Sequence, residues 1–248
     1  MVYRQVKRFF RARSRVLGTL LNPIIWVLFF GLGWSNVFNF PMAKAIFGGV
    51  DYLTFLAPGV IGMTVFTASF ISGVSVIWDK QFGFLKEVLV APVSRAEAMV
   101  GRLVGDSLTT LLQVAIIAGL MYVIAGSLNP WGAAPTLLLA FLASLAFSSL
   151  GVVLALKMRS MEGFQLIINL LMLPLLFLSG AFYPLNTMPE WMKALSYVNP
   201  LTYAVDGMRY FLAGTSAINP LLDTAVLSAL SAALLTAAAA LFRGATID

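Results

Sequence analysis

Five stretches of the chain run without a charged residue: 16 to 43, 52 to 78, 107 to 156, 163 to 189 and 224 to 242. A helix that crosses a bilayer needs about 20 predominantly apolar residues, so each stretch is long enough for a crossing. The stretch from Ser107 to Leu156 holds two, because Gly126-Ser-Leu-Asn-Pro130 and Pro135 put turn-forming residues near its middle. The pattern predicts an all-α polytopic membrane protein with six transmembrane helices. They run from about Val16 to Trp34, Leu53 to Trp78, Leu103 to Ala125, Ala133 to Leu156, Phe164 to Leu178 and Leu222 to Phe242. The first is read as a crossing and not as a signal peptide, since its apolar run is too long, Pro23 lies early in it and no small-x-small cleavage site stands out.

Three connecting segments carry patterns of their own. At 100° per residue Arg4, Arg8, Arg11 and Arg15 fall on one stripe, and Val2, Tyr3, Val6, Phe9 and Phe10 fall opposite. Residues 1–15 therefore read as an amphipathic helix on the membrane surface, either a plain positive anchor or a docking surface for a cytoplasmic partner. In the loop 79–102, Phe84 to Ala91 can form a short amphipathic helix that Pro92 stops, because the residue before proline disfavours helical geometry. Ser94 then caps a new helix, with Glu97 completing a capping box, and that helix runs into the third crossing. Between 180 and 219 the chain is too proline-broken to span and too apolar to be a free loop. Pro189 to Tyr197 and Leu201 to Ala213 each predict a short helix, with Asp206 and Arg209 at i and i+3 able to pair. Aromatic residues such as Trp191, Tyr203 and Tyr210 fit a segment that dips into the outer leaflet. The loop between the first two crossings, with Lys44 and Gly48-Gly49, carries no recognisable chemistry.

Charge placement orients the molecule. Six Arg/Lys lie in the first fifteen residues, four between Asp79 and Arg102, two at Lys157 and Arg159, and one at Arg243. The alternate connections hold only Lys44, Lys193 and Arg209. By the positive-inside rule both termini face the cytoplasm of a cell membrane, as an even number of crossings requires. The net charge of +6 is thus a topological signal and not a nucleic-acid surface.

Composition removes whole classes of chemistry. With no histidine and no cysteine there are no disulfides, thiol nucleophiles, imidazole bases or metal sites built from those ligands. A P-loop needs Gly-Lys, and none of the six lysines (7, 44, 80, 86, 157, 193) follows a glycine. No catalytic, cofactor-binding or metal-binding residue is assigned to this chain. The small-x-x-x-small pattern Gly101-Arg-Leu-Val-Gly105 and the serines Ser144, Ser148 and Ser149 read as helix-packing features. Asp106 reads as an interfacial charge near Arg102.

The run Leu85-Lys86-Glu87-Val88-Leu89-Val90-Ala91-Pro92-Val93-Ser94-Arg95 resembles the cytoplasmic motif of the permeases of ATP-binding-cassette transporters of the type 2 export family. A second match follows in the same order as in that family: Ser179-Gly180-Ala181-Phe182-Tyr183-Pro184-Leu185, then Met188-Pro189-Glu190-Trp191, then Asn199-Pro200-Leu201-Thr202-Tyr203 and Arg209. The resemblance implies one transmembrane domain over 1–248: an interface helix 1–15, crossings one to four in 16–156 with the coupling loop 79–102, and crossings five and six in 157–248 with re-entrant helices in 180–219. It implies that Lys86, Glu87, Pro92, Ser94 and Arg95 contact a separate ATPase subunit, present in two copies, which holds the ATP and magnesium. It implies that Arg4, Arg8, Phe9, Phe10 and Arg11 lie on a connecting helix, and that Pro184, Pro189, Trp191, Pro200, Tyr203, Asp206 and Arg209 belong to the external segment. A second permease chain, forming a homodimer, would complete the pathway.

The reading that follows is a transport subunit, not itself an enzyme, that exports a hydrophobic or amphiphilic substrate such as a drug, a lipid or a lipid-linked glycan. The alternative class is an ion-coupled secondary transporter or channel. Such carriers hold ionisable groups at membrane depth, and the five charge-free stretches contain none.

Overall fold

The computed structural model describes residues 13–35, 37–38, 40–81, 94–158 and 160–243. The expected interface-helix residues Arg4, Arg8, Phe9, Phe10 and Arg11, and the coupling-loop residues Lys86, Glu87 and Pro92, lie outside them. Among the described residues the regular structure is entirely helical. In chain order the helices are α1 (Arg13–Trp26), α2 (Pro41–Ile46), α3 (Tyr52–Gln81), α4 (Arg95–Ala125), α5 (Ala133–Lys157), α6 (Met161–Leu178), α7 (Glu190–Val198), α8 (Pro200–Ala213) and α9 (Pro220–Arg243). Five stretches, carried by α3, α4, α5, α6 and α9, are long and apolar enough to cross a membrane. The expected first crossing is helical too, but α1 contains Pro23 and gives way to a π-helical stretch at Val27–Leu32 before a last turn, Gly33–Ser35. Proline lacks the N–H that an α-helical ladder uses. The apolar part of this stretch, Leu20–Ser35, is shorter than the other five.

Local chemistry sets the ends of the helices. Ser94 caps α4 by accepting from the Glu97 N–H at 3.2 Å, the expected half of a capping box. Ser160 caps α6 through the Gly163 N–H at 3.1 Å, so this helix starts three residues before the expected Phe164. Asn199 caps α8, with Pro200 at its first position, where a missing N–H costs nothing. Gly126 and Gly214 end α4 and α8 with φ of 69° and 73°, a left-handed conformation that side-chain-bearing residues rarely adopt.

The centre of the molecule is the pair α3 and α5, both mostly buried, while α4, α6 and α9 expose most of their apolar surface. Lipid is as apolar as a leucine side chain, so close packing and hydrogen bonds hold such helices together. On α3, a Cβ at Gly73 would lie 2.6 Å from the Gly151 carbonyl oxygen and 2.4 Å from Phe164 Cζ, so the two backbones meet where only glycine fits. The rings of Phe66, Phe70 and Phe147 fill the next layer, with Phe66 to Phe70 centroids 4.6 Å apart and Phe66 to Phe147 5.2 Å. Ser69 Oγ donates to Ser144 Oγ at 3.0 Å, and Ser148 Oγ donates to the Ser69 carbonyl at 3.4 Å. Two of the three serines expected to join helices thus do so; Ser149 Oγ is buried without a hydrogen bond to the described residues. Ser231 Oγ on α9 donates to the Leu142 carbonyl of α5 at 2.7 Å.

Candidate functional site

Two regions carry the polar chemistry, one at each end of the bundle. At the end where α4 begins, Ser94 is spent on the helix cap, and Arg95 Nη1 donates to the Arg243 carbonyl at 3.4 Å, joining the start of α4 to the end of α9. Two turns further along α4, Arg102 is buried, donates from Nη2 to Ser75 Oγ at 2.7 Å and lies 4.0 Å from Asp106, the expected partner. The bond to Ser75 ties α4 to the C-terminal half of α3.

At the opposite end, residues 179–219 fold back over the bundle. The last carbonyls of α6 have no partner within their own helix, and α8 supplies it. Asn199 Nδ2 donates to the Leu175 carbonyl at 2.7 Å and Thr202 Oγ1 to the Leu178 carbonyl at 3.4 Å. Tyr203 Oη donates to the Tyr197 carbonyl at 2.6 Å, bracing α8 against α7. With only fourteen residues, α8 is too short to cross a bilayer, yet most of its side chains are buried against α3, α5 and α9. The turn between α4 and α5 docks on its far end, where the Asn129 N–H donates to the Leu212 carbonyl at 2.8 Å. The end of α1 and the π-helical stretch join this assembly through Trp26 and Phe30, whose rings stack at 4.7 Å and lie 5.1 and 5.7 Å from Phe182.

Arg209 organises the interior of this cap. It is 3% exposed. Its Nη2 donates to the Gly180 carbonyl at 2.7 Å and its Nε to the Phe55 carbonyl of α3 at 3.4 Å, and its guanidinium carbon sits 3.9 Å over the Phe55 ring. Nη1 lies 3.8 Å from Asp206 Oδ1, so the expected i,i+3 pair forms as a charge contact. Asp206 takes its hydrogen bonds elsewhere, from the Ala217 N–H at 3.0 Å and the Ile218 N–H at 2.8 Å. Burial pulls the Arg209 guanidinium down to about 10, with the neighbouring Asp206 carboxylate opposing the shift, so the group stays charged at neutral pH. A single arginine therefore links the second predicted crossing, the turn after α6, and α8.

The other expected residues of this segment play structural parts. Pro184 and Pro189 lead into the turn Leu185–Thr187 and α7, Pro200 starts α8, and Trp191 is 66% exposed on the outer side of α7. Pro184 also lines an open cavity of ≈160 Å³ that Asp206 and Arg209 share with Phe47, Gly48 and Thr215. The loop after the expected first crossing supplies apolar lining without chemistry of its own: α2 and Gly48 form one wall of the cavity around the buried arginine. Asp223 was missed. It lies in the first turn of α9, is 0% exposed, and neither carboxylate oxygen has a hydrogen bond to the described residues. The chain offered only the signal of an acid at the start of an apolar helix, a common boundary charge.

Across this whole arrangement, residues 1–212 match the sequence profile of the ABC-2 type transporters. The chain belongs to the ABC-2 type transporter family. Among its relatives is a transport permease named ycf38 of Cyanophora paradoxa, 30% identical, with 85% of this chain and 73% of that protein covered. The inner membrane transport permease YadH of Escherichia coli strain K12 is 26% identical over 89% of this chain and 84% of its own length. A permease of Streptomyces coeruleorubidus named as the daunorubicin resistance ABC transporter permease protein DrrB1 is 28% identical over 87% and 74%. The described chain is accordingly an ABC-2 transport permease, an integral membrane protein whose relatives are membrane transport subunits. Family membership implies a partner ATPase subunit. Among the described residues no cluster of metal-ligating side chains forms.

Proposed function

We propose that this ABC-2 permease is the membrane-spanning subunit of an ATP-driven exporter and moves a hydrophobic or amphiphilic substrate out of the cytoplasm or inner leaflet. What carries the reading is the family match over residues 1–212 in a chain where no lysine follows a glycine. ATP and magnesium then belong to a separate ATPase, and this chain converts its movement into exposure of the substrate path. In this reading the chain crosses six times, with the interrupted helix 13–35 as the first crossing and both termini in the cytoplasm. Residues 82–93 carry the coupling helix, Lys86, Glu87, Pro92, Ser94 and Arg95 meet the ATPase, and Arg4, Arg8, Phe9, Phe10 and Arg11 lie on the connecting helix. The external segment 180–219 is re-entrant, with Asp206 and Arg209 inside it.

Two permease copies and two ATPases make the working complex. On α6 Gln165 Nε2 donates to Asn169 Oδ1 at 3.1 Å, and both side chains are on the exposed face. Polar groups turned to lipid are costly, and a second copy with a path between the two relieves that cost. ATP drives the change only because the ATPase makes different contacts with the permease in its two states. The drug-resistance permease among the relatives favours an amphiphilic substrate.

The test is purification of the tagged protein from its native membranes in mild detergent, with mass spectrometry of the accompanying chains. A stoichiometric P-loop ATPase that is lost in Glu87→Lys/Arg95→Glu supports the proposal. An intact permease that is alone, and active in liposomes without ATP, overturns it in favour of a carrier or channel.

A further inference from the structure

The cavity beside Arg209 has no part in the transport cycle described above. At ≈160 Å³ it is too small for a drug-sized molecule, whose sites run to about 300–1,000 Å³, yet it holds several times the roughly 30 Å³ that one water occupies. Its buried lining side chains include, beside Phe47, Phe55 and Leu185, a cation and an acid, Arg209 and Asp206. A guanidinium has five N–H donors, and the bonds to the Phe55 and Gly180 carbonyls use two, leaving three. Nη1 has no hydrogen bond, because Asp206 Oδ1 at 3.8 Å is beyond bonding distance. The Asp206 oxygens are held by the Ala217 and Ile218 N–H groups, so the acid does not consume the free donors.

We infer that this cavity is a binding site for a phosphate oxyanion, presented by a lipid headgroup or as free phosphate. Guanidinium forks match phosphate oxygens, and Asn186 and Ser216, residues with an amide and a hydroxyl, are among those that line the same cavity. Donors on several sides suit a tetrahedral anion with more than two oxygens. Asp206 cancels the formal charge of the arginine, so recognition here depends on directed N–H and O–H groups and not on a net positive field. Ile46, Phe47 and Leu185 add an apolar wall next to the donors, and Ile46 is half exposed. A headgroup bound at Arg209 with its glycerol and first methylenes along Ile46 uses both features, whereas free phosphate uses only the first.

The site is tested on the purified full-length protein in detergent, by thermal unfolding and by equilibrium titration. Dioctanoyl-phosphatidylglycerol, inorganic phosphate and dioctanoylglycerol are compared, the last having the same chains without a phosphate. Stabilisation by the phospholipid but not by dioctanoylglycerol is expected. A phospholipid affinity well above that of phosphate identifies the headgroup as the source, and equal affinities identify free phosphate. Ala45→Phe puts a large side chain into the cavity from α2, and Ser216→Asp places a like charge at its lining. Each is expected to weaken binding at least about tenfold, the first by occupying the space and the second by like-charge repulsion, while the unfolding temperature without ligand stays the same. Equal stabilisation by dioctanoylglycerol, no binding by either phosphate compound, or unchanged affinity in a folded variant of either kind overturns the inference. Because the readout is binding to the permease itself, its failure leaves the exporter proposal standing, and loss of the ATPase leaves this site standing.

Discussion

Replacing Arg209 with methionine removes a side chain of α8 that reaches both α3 and the turn after α6. The wild-type group makes two hydrogen bonds from a charged donor, at 2.7 and 3.4 Å, each worth about 1.5–3 kcal/mol. A desolvated cation over an aromatic face adds about 2 kcal/mol, here over Phe55 at 3.9 Å. Against these stands the cost of burying the guanidinium, several kcal/mol, which the substitution relieves. Breaking one side of a buried charged pair costs about 3–5 kcal/mol in general. Asp206 keeps its bonds from Ala217 and Ile218 after the change, which places Arg209→Met near the lower end, about 3 kcal/mol. The assay is reversible unfolding in mixed micelles with increasing denaturing detergent, followed by the fluorescence of the five tryptophans. Arg209→Lys is expected to lose about half as much, since a lysine keeps the charge and reaches one carbonyl in place of two. In Asp206→Asn/Arg209→Met the losses are expected to be less than additive, as the two groups share one contact. An Arg209→Met protein within about 0.5 kcal/mol of wild type, the range of an ordinary surface change, would refute the view of this residue as the anchor of the cap formed by residues 179–219.

Further outcomes follow from other parts of the structure. Gly73→Ala puts a methyl group 2.6 Å from a backbone oxygen that has no room to retreat, and is expected to cost about 1–3 kcal/mol in the same assay, or more if α3 and α5 separate. Asp223→Asn removes a buried acid whose two oxygens have no hydrogen bond to the described residues, so stability is expected to stay level or rise; a loss above about 1 kcal/mol would show that the carboxylate has a partner worth keeping. The chain lacks cysteine, so single cysteines are clean probes of sidedness. In right-side-out vesicles an impermeant maleimide is expected to label Ser216→Cys at once and Ser94→Cys only after permeabilisation, and the reverse order would invert the topology.

Run length and end chemistry made most of the helices readable in advance. The expected Leu53 to Trp78, Ala133 to Leu156 and Leu222 to Phe242 lie within Tyr52–Gln81, Ala133–Lys157 and Pro220–Arg243, because charge-free runs of that length have one stable form in lipid. The apolar run that predicts α6 begins only after Glu162, whereas the helix itself opens at Ser160 with an acid in its first turn, a usual helix start. The π-helical stretch at Val27–Leu32 was not readable, because its apolar sequence fits an α-helix equally well. The Asp206–Arg209 pair was legible from i,i+3 spacing; the burial of Arg102 and Asp223 was not, as it depends on which helices pack around them. The cavity joins α2, the turn after Pro184, α8 and the loop 215–217, segments up to about 170 residues apart in a chain of 248, and no local pattern brings them together.

The central claim is that a separate ATPase grips this permease on the side where α4 begins, through the segment around Glu87. The most direct measurement places a photoreactive maleimide on Glu87→Cys in native membranes and identifies by mass spectrometry what it captures on illumination. A P-loop ATPase captured from position 87, and not from a cysteine at Ser216 at the opposite end, is the predicted result. Capture of that ATPase from Ser216→Cys alone, or none from Glu87→Cys in membranes that still transport, would contradict the account.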